Sequence, residues 1–248
     1  MRQPSIAPRT QSVKALAAPR KMTNHAHIWD PMSVEDAADL MSGVGVPWWI
    51  AGGWAIDLFL GRQTRPHGDT DILIRRDDQL AVQDHLMNQG LTLYKTQQPG
   101  LKPWPHGEFI GSPVDDVWCR WAPGAPWVLQ LMLICTDGDQ WVFKRDPAIR
   151  GSLDELGRRT PSGIPYVCPH IQLLYKATRD IISKDQSDFD LAVVQMQREE
   201  RAWLLGHLER RFGNDHPWIG QLKELMARQP RPRDSGKAPD GLTGTRDL

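Results

Sequence analysis

One stretch of this chain, residues 50–74 (IAGGWAIDLFLGRQTRPHGDTDILI), constrains the fold more than any other. An apolar run precedes Gly52 and Gly53, and WAIDLFL has helical spacing before Gly61. The segment TDILI then has the apolar composition of a buried strand. The pattern therefore predicts a strand, a Gly-Gly turn, a helix closed by Gly61 and a second strand.

Asp69 and Asp71 are two residues apart where that second strand begins. Side chains at this spacing on a strand point to the same face, with Cα atoms about 6.5–7 Å apart. Two ionised carboxylates on one face repel each other, and a divalent cation between them removes that penalty. Oxygen ligands with room for phosphate oxygens suit Mg²⁺ or Mn²⁺. We therefore predict that Asp69 and Asp71 hold a metal ion.

Gly52 and Gly53 precede a predicted helix. Glycine allows close approach of the backbone, and the free amides at a helix N-terminus favour a phosphate. A phosphate cradle followed by a carboxylate pair is the outline of a metal–triphosphate site. Each motif alone is also explained by ordinary turn chemistry or by a solvated strand start. Their order and spacing together favour the triphosphate site.

The rest of the chain predicts a mixed α+β fold, in which a small mixed sheet has helices packed on it. Ser33 and Asp36 predict the cap of a first helix, and 115–121 and 127–135 predict a β-hairpin. Helical spacing dominates after about residue 165. We predict tails at 1–30 and 229–248, a core at 31–150 and a helical module at 151–228.

Charge and cysteine content narrow the class of protein. Lys plus Arg and Asp plus Glu number 30 each, a balance that disfavours a protein whose main partner is nucleic acid. Cys119, Cys135 and Cys168 have no CxxC spacing, which favours a reducing, cytoplasmic compartment. No apolar window approaches the 18 residues or so of a membrane-spanning helix. GxSxG and GxxxxGK[ST] motifs are absent from the sequence.

The segments GGWAID and GRQTRPHGDTDI resemble the aminoglycoside and lincosamide nucleotidyltransferases of the polymerase-β-like superfamily, including aminoglycoside-2''-adenylyltransferases. WVFKRD, GIPYVCPHIQLLYK and SKDQSDFDLAV follow the family's later order more loosely, so the resemblance covers most of 33–200. It implies a polymerase-β-like core and transfer of a nucleoside monophosphate, usually AMP from ATP, to a hydroxyl of a small molecule. Pyrophosphate would be released. Antibiotic resistance is the first role that it suggests.

The resemblance also implies roles for individual residues. Gly52 and Gly53 would hold the phosphates, and Asp69 and Asp71 would ligate the metal. Four cationic or titratable residues would lie near the triphosphate or the mouth of the site: Arg62, Arg65, His67 and Lys176. These four are also open to ordinary interpretations, as partners of surface carboxylates or, for Lys176, as a solvent-facing side chain.

The sequence departs from the family at one position. The family supplies a third carboxylate from a later strand, as a metal ligand or as the base for the acceptor hydroxyl. The matching position here is Gln130, which has neither charge nor basicity. We predict that Asp116, on the preceding strand of the hairpin, replaces it. Glu108 is a weaker candidate, and a site without a third carboxylate, or a different strand register, is the remaining alternative.

The sequence leaves several classes of acceptor molecule possible. Asp115, Asp116 and Glu108 are candidates for contacts with a polycationic aminoglycoside, and Trp104, Trp118 and Trp121 are candidates for stacking on sugar rings or for core positions. Two other functions remain: a nucleotidyltransferase with an RNA or protein acceptor, and a nucleotide-binding pseudoenzyme that Gln130 would explain. Balanced charge favours a small acceptor over RNA, and the intact Gly-Gly and Asp-x-Asp motifs favour catalysis.

Overall fold

The computed structural model describes residues 28–228. Within that range the helices are α1 Val34–Met41, α2 Gly52–Leu60, α3 Gln79–Asn88, α4 Pro169–Lys176, α5 Ser183–Val193, α6 Arg198–Phe212 and α7 Pro217–Arg228. The strands are β1 Trp48–Ile50, β2 Asp71–Arg75, β3 Thr92–Thr96, β4 Leu101–Pro103, β5 Asp116–Arg120, β6 Leu129–Asp137, β7 Gln140–Val142, β8 Arg150–Ser152, β9 Gly157–Arg159 and β10 Pro165–Val167. No helix of the described part is long and apolar enough to cross a membrane.

All ten strands join one mixed sheet, with the order β4-β3-β5-β6-β2-β1-β10-β9 and with β7 and β8 branching from β6. The pairs β2–β6 and β1–β10 are parallel, whereas β1–β2, β5–β6 and β3–β5 are antiparallel. This topology confirms the predicted mixed α+β fold. It is not a doubly wound sheet, because the antiparallel pair β1–β2 separates the two parallel ones.

The two faces of the central strands differ in burial, and this difference locates the site. Ile72, Leu131 and Val117 share one face and are fully buried in the core. Asp71 and Gln130 lie on the other face and are only half-buried. Alternation along a strand with period two produces this division. The polar side chains of β2, β5 and β6 therefore lie on the more open face.

The predicted hairpin is confirmed, since β5 and β6 pair antiparallel with Asp116 opposite Met132. The predicted cap is also present, because the Ser33 hydroxyl accepts a hydrogen bond from the Asp36 amide. The strands continue beyond residue 150, into the range predicted as a helical module: β9 and β10 extend the sheet beside β1, and the helices begin only at Pro169. Strands of three residues are too short for periodicity to identify.

The predicted tails lie outside the described residues, except for Ile28, Trp29 and Asp30 at the end of the first. These three residues are built into the fold. The Trp127 amide donates to the Ile28 carbonyl and the Asp30 amide donates to the Trp127 carbonyl, both at 2.9 Å. The Trp29 ring packs edge-on against Trp118, with centroids 5.1 Å apart. Residues 28–30 therefore contact the predicted core.

Candidate active site

A row of side chains crosses the open face of the sheet. Asp71 on β2 pairs with Gln130 on β6, and Gln130 pairs with Trp118 on β5. Asp116 lies in the next row, opposite Met132, and two residues from Trp118 on the same strand. Paired residues and residues two apart on a strand share a face. Asp71, Gln130, Asp116 and Trp118 therefore face the same space.

The start of α2 packs directly on Asp71. Gly52 has a φ of +65°, and a Cβ at this position would lie closer than 3.0 Å to the Asp71 carboxylate. The Ala51 amide donates to the Asp71 carbonyl at 2.9 Å, which joins the two segments through the backbone. Glycine at 52 is thus required twice, for its conformation and for the space that the carboxylate occupies. The predicted Gly-Gly turn and the predicted Asp-x-Asp strand meet here.

The Gly52 amide already has a partner. Gln172 on α4 accepts this N–H with its Oε1 at 2.9 Å. The amides of Gly53 and Trp54 are the next at this helix N-terminus, where the first amides have no intrahelical acceptor. A phosphate at this end of α2 would therefore meet these two amides first. The resemblance implied that Gly52 holds a phosphate, but its N–H is bound to Gln172, and its contribution in this structure is the space that it leaves for Asp71.

Burial, together with a smaller contribution from the neighbouring charge of Asp69, raises the pKa of Asp71 to about 7. The charge of Asp116 also raises the pKa of Asp71, whereas the charges of Lys176 and Lys184 lower it. Two carboxylates crowded at a buried position resist double ionisation. A divalent cation would relieve this repulsion.

The residues fit a magnesium or manganese ion that also contacts phosphate. Mg²⁺ is held in proteins by one or two carboxylates, with waters and substrate phosphates completing its ligands. Asp69 and Asp71 provide such a pair beside the N-terminus of α2. Across residues 28–228 no group of three His, Cys, Asp or Glu side chains forms a ready-made cation cage. A pair of carboxylates leaves coordination positions that phosphate oxygens and waters would fill.

Asp116 is positioned by its neighbours on β5 and β6. The Gln130 Nε2 donates to Asp116 Oδ1 at 3.1 Å. Burial raises the pKa of Asp116, while the Gln130 hydrogen bond and the Lys144 charge oppose that rise. Asp115 forms ion pairs with Arg76 and Lys144 and is thereby neutralised. Of the two adjacent carboxylates, Asp116 is the one directed to the row that contains Gln130.

Glu108, the weaker sequence candidate, lies elsewhere. It forms an ion pair with Lys95 of β3. Lys95 pairs with Val117, whose side chain belongs to the buried face of the sheet. Glu108 is therefore directed to the opposite side of the sheet from Asp71. The prediction that Glu108 could act as the third carboxylate is wrong for this reason.

The side chains of Arg65 and His67 pack against Gly53. The Arg65 guanidinium binds Asp188 of α5 at 3.0 and 2.9 Å, and this hydrogen bonding raises the pKa of Arg65. The His67 Nε2 lies 2.6 Å from Asp57 Oδ2, with both side chains almost fully buried. A Cβ at Gly53 would lie 2.6 Å from the His67 ring. Both side chains thus fix the path of the backbone at Gly53.

Lys176 and Arg62 differ in their surroundings. Lys176 Nζ lies 2.8 Å from Asp185 and 2.9 Å from Asp188, and its charge also acts on Asp71. It therefore borders the site while being held by two carboxylates of α5. Arg62 is exposed, and its backbone amide donates to the Asp57 carbonyl at 3.2 Å.

Three side chains of the site were missed in the sequence. Gln172 contacts Gly52, and Lys144 contacts Asp115. The charge of Lys184 lowers the pKa of Asp71. Lys184 lies in the SKDQSDFD segment that carried the looser resemblance, so of the three it was the easiest to predict from the sequence. Gln172 and Lys144 reach the site only through tertiary packing, and no spacing rule would have selected them.

Part of the chain is similar to a known protein family. Residues 33–100 match the family described as aminoglycoside-2''-adenylyltransferase. This match confirms the predicted resemblance over the part of the chain that carries Gly52, Gly53, Asp69 and Asp71. No curated protein matches the chain.

Solved structures of nucleotidyltransferases are distantly similar. Lincosamide antibiotic adenylyltransferase LnuA, lincomycin-bound, is 18% identical with a TM-score of 0.46, covering 64% of this chain and 93% of its own. ANT(2'')-Ia in complex with adenylyl-2''-tobramycin is 17% identical with a TM-score of 0.45, covering 72% and 94%. An antigenic nucleotidyltransferase-like protein from Paracoccidioides brasiliensis is 15% identical with a TM-score of 0.42, covering 77% and 90%.

Proposed function

We propose that this chain, whose residues 33–100 match the aminoglycoside-2''-adenylyltransferase family, is a metal-dependent, cytoplasmic nucleotidyltransferase. It moves AMP from ATP onto a hydroxyl of a small molecule such as an aminoglycoside or a lincosamide and releases pyrophosphate. The observation that carries the proposal is the contact between Gly52 and Asp71. It puts a helix N-terminus, which favours phosphate, against a carboxylate that favours a cation.

The chain's own residues bind and orient the nucleotide. The amides of Gly53 and Trp54 donate to phosphate oxygens, and Gln172 keeps the start of α2 in place through the Gly52 amide. Lys184 and Lys176 add positive charge on the same side. Arg65 and His67 hold the Gly53 backbone so that its amide has one direction.

Asp69 and Asp71 would hold Mg²⁺ or Mn²⁺, which when bound neutralises charge on the phosphates during transfer. Asp116 accepts the proton of the acceptor hydroxyl. The acceptor oxygen then forms a bond to the α-phosphorus, and the bond from that phosphorus to the bridging oxygen breaks. The pair of electrons leaves with pyrophosphate. Positioning and electrostatics supply most of the rate, since no protein group becomes covalently attached.

The acceptor occupies the open face beside Asp116. Trp118 lies in the same row as Gln130 and Asp71, and its half-buried ring borders this space. Trp104 is 2% exposed and belongs to the core, whereas Trp121 is 49% exposed beyond the end of β5. Of the three tryptophans considered, Trp118 is therefore best placed to meet the acceptor ring.

The test is pyrophosphate release from ATP and other nucleoside triphosphates with Mg²⁺ or Mn²⁺. The acceptor panel contains aminoglycosides, lincosamides and other hydroxylated metabolites, and the Asp69→Asn/Asp71→Asn variant is the blank. Release that needs an acceptor and both aspartates supports the proposal and identifies the substrate class. Nucleotide binding by calorimetry without release on any acceptor would overturn it in favour of a macromolecular acceptor or a pseudoenzyme.

A further inference from the structure

We propose that the third carboxylate of this site has moved from β6 to β5, and that Gln130 is the positioning residue that orients it. This inference rests on the proposed function and assigns a role to the one position where the chain departs from the family pattern. Gln130 replaces the expected carboxylate, and its amide directs the Asp116 carboxylate toward the same space. We call this pair of changes the exchange: a glutamine in place of the carboxylate at residue 130, and the carboxylate at residue 116 instead.

The sheet register allows this exchange. Gln130 is directly opposite Asp71, and Asp116 is opposite Met132, two residues farther along β6. Asp116 and Gln130 are therefore diagonal neighbours on the same face. Diagonal neighbours across two strands are within reach of each other's long side chains. The observed 3.1 Å hydrogen bond from Gln130 Nε2 to Asp116 Oδ1 joins them.

Electrostatics favours an amide at residue 130. A carboxylate there would be directly opposite Asp71, and like charges in that relation destabilise a sheet. Asp69 already adds its charge to that of Asp71. An amide at 130 avoids a further charge in that row, and it donates a hydrogen bond to the carboxylate of the next row. The charge of the third carboxylate is thereby placed farther from Asp71.

The backbone of Asp116 is fixed from its other side, so that only its side chain needs orientation. The carbonyl of Asp115 accepts the Leu133 amide at 2.7 Å. The Asp115 carboxylate is clamped by Arg76 and Lys144. Arg76 also donates to the Val114 carbonyl at 2.8 Å. Gln130 then supplies a hydrogen bond to the carboxylate of Asp116 itself.

The decisive experiment moves the carboxylate from residue 116 back to residue 130. Steady-state turnover is measured for wild type, Asp116→Asn, Gln130→Leu and the double variant Asp116→Asn/Gln130→Glu. We expect Asp116→Asn to lose about 10²–10⁴-fold in kcat. We expect Gln130→Leu to lose about 10–100-fold in kcat with little change in the KM for nucleotide, because only orientation is lost. The double variant returns a carboxylate to β6 and should recover at least about tenfold over Asp116→Asn.

Gln140→Leu on β7 is the matched control for loss of a half-buried strand glutamine outside the site. A folded double variant no faster than Asp116→Asn, or a Gln130→Leu variant with wild-type kcat, would overturn the exchange. If the double variant does not fold, Gln130→Leu decides alone.

Failure of the proposed function has a different signature, since wild type itself would then release no pyrophosphate with any acceptor. In that case a crystal structure of Gln130→Leu still decides the positioning role. The Asp116 carboxylate should turn away from its wild-type direction, and an unchanged rotamer would overturn the inference.

Discussion

The Asp71 carboxylate occupies the space into which a side chain at Gly52 would project. The two residues are 19 positions apart in sequence numbering, yet the Ala51 amide and the Asp71 carbonyl also bond, so the turn and the strand form one unit. A motif for phosphate and a motif for a cation are therefore built on a single contact. Replacing either residue should disturb both functions.

Gly52→Ala should lower turnover about 100-fold and also lower stability. The variant suffers the left-handed backbone cost of about 1–2 kcal/mol and also displaces the Asp71 carboxylate. A misplacement near 1 Å can cost about 100-fold in rate. Turnover and urea unfolding measure the two effects.

Gly61→Ala separates the effect of backbone strain from the effect of displacing the Asp71 carboxylate. Gly61 has a φ of +68°, close to that of Gly52, but a Cβ there meets nothing within 4 Å. It should lose comparable stability and keep its activity. Equal loss of activity in both variants would show that the Gly52–Asp71 contact has no special role.

Asp71→Asn should stabilise the metal-free protein at alkaline pH. The folded pKa of Asp71 is raised to about 7, above an unfolded value of about 4, so folded protein binds the proton more tightly. Stability is then fully present below about pH 4 and is lost as pH rises through about 7. Removing the charge should gain about 2–4 kcal/mol at pH 8 and progressively less towards pH 4.

Thermal unfolding in a chelator from pH 4 to 8 measures this gain, with the exposed Asp154→Asn as the control. Mg²⁺ should raise the Tm of wild type at pH 8 and leave that of Asp71→Asn unchanged. A gain that does not depend on pH would contradict the assigned cause.

Arg76→Met should cost about 3–5 kcal/mol of stability, because it leaves the Asp115 carboxylate without its buried partner. The Arg76 guanidinium also donates to the carbonyls of Ile110 and Val114, at 3.0 and 2.8 Å. Urea unfolding measures the cost. Arg228→Met removes an exposed pair with Glu224 and should change stability by about 0.5 kcal/mol or less. Similar small effects in both variants would show that Asp115 is stabilised by Lys144 alone.

Local spacing was sufficient to predict the elements around Gly52 and Asp71, because a turn, a helix and a strand are each encoded within a few residues. It also predicted the β5–β6 hairpin that carries Asp116. It could not assign partners to Arg65, since Asp188 lies 123 residues away in the chain. For the same reason Gln172, 120 residues from Gly52, was missed. Contacts between distant segments depend on tertiary packing, which one sequence does not display.

The short strands were the other part of the fold that local spacing could not place. β10 has three residues and joins the sheet through a parallel pairing of Tyr166 with Ile50. Its position between β1 and β9 depends on that pairing and not on its own periodicity. The predicted boundary at 150 therefore separated strands that belong to one sheet.

Trp118→Ala should weaken acceptor binding and spare the nucleotide. Trp118 is two strands from Asp71 on the open face, and strands are spaced about 4.8 Å apart. An acceptor whose hydroxyl reaches Asp116 would place its ring against this indole. Trp29 and Trp127 pack edge-on against Trp118, at 5.1 and 5.5 Å, so the ring is already oriented.

We expect the acceptor KM of Trp118→Ala to rise about tenfold, equivalent to 1.4 kcal/mol, with the KM for ATP unchanged. Trp118→Phe keeps an aromatic face and should recover most of the loss. Trp121→Ala is the matched control, because its 49% exposed side chain lies beyond β5. If Trp118→Ala and Trp121→Ala left the acceptor KM equally unchanged, the acceptor would have to approach Asp116 from another side of the cleft.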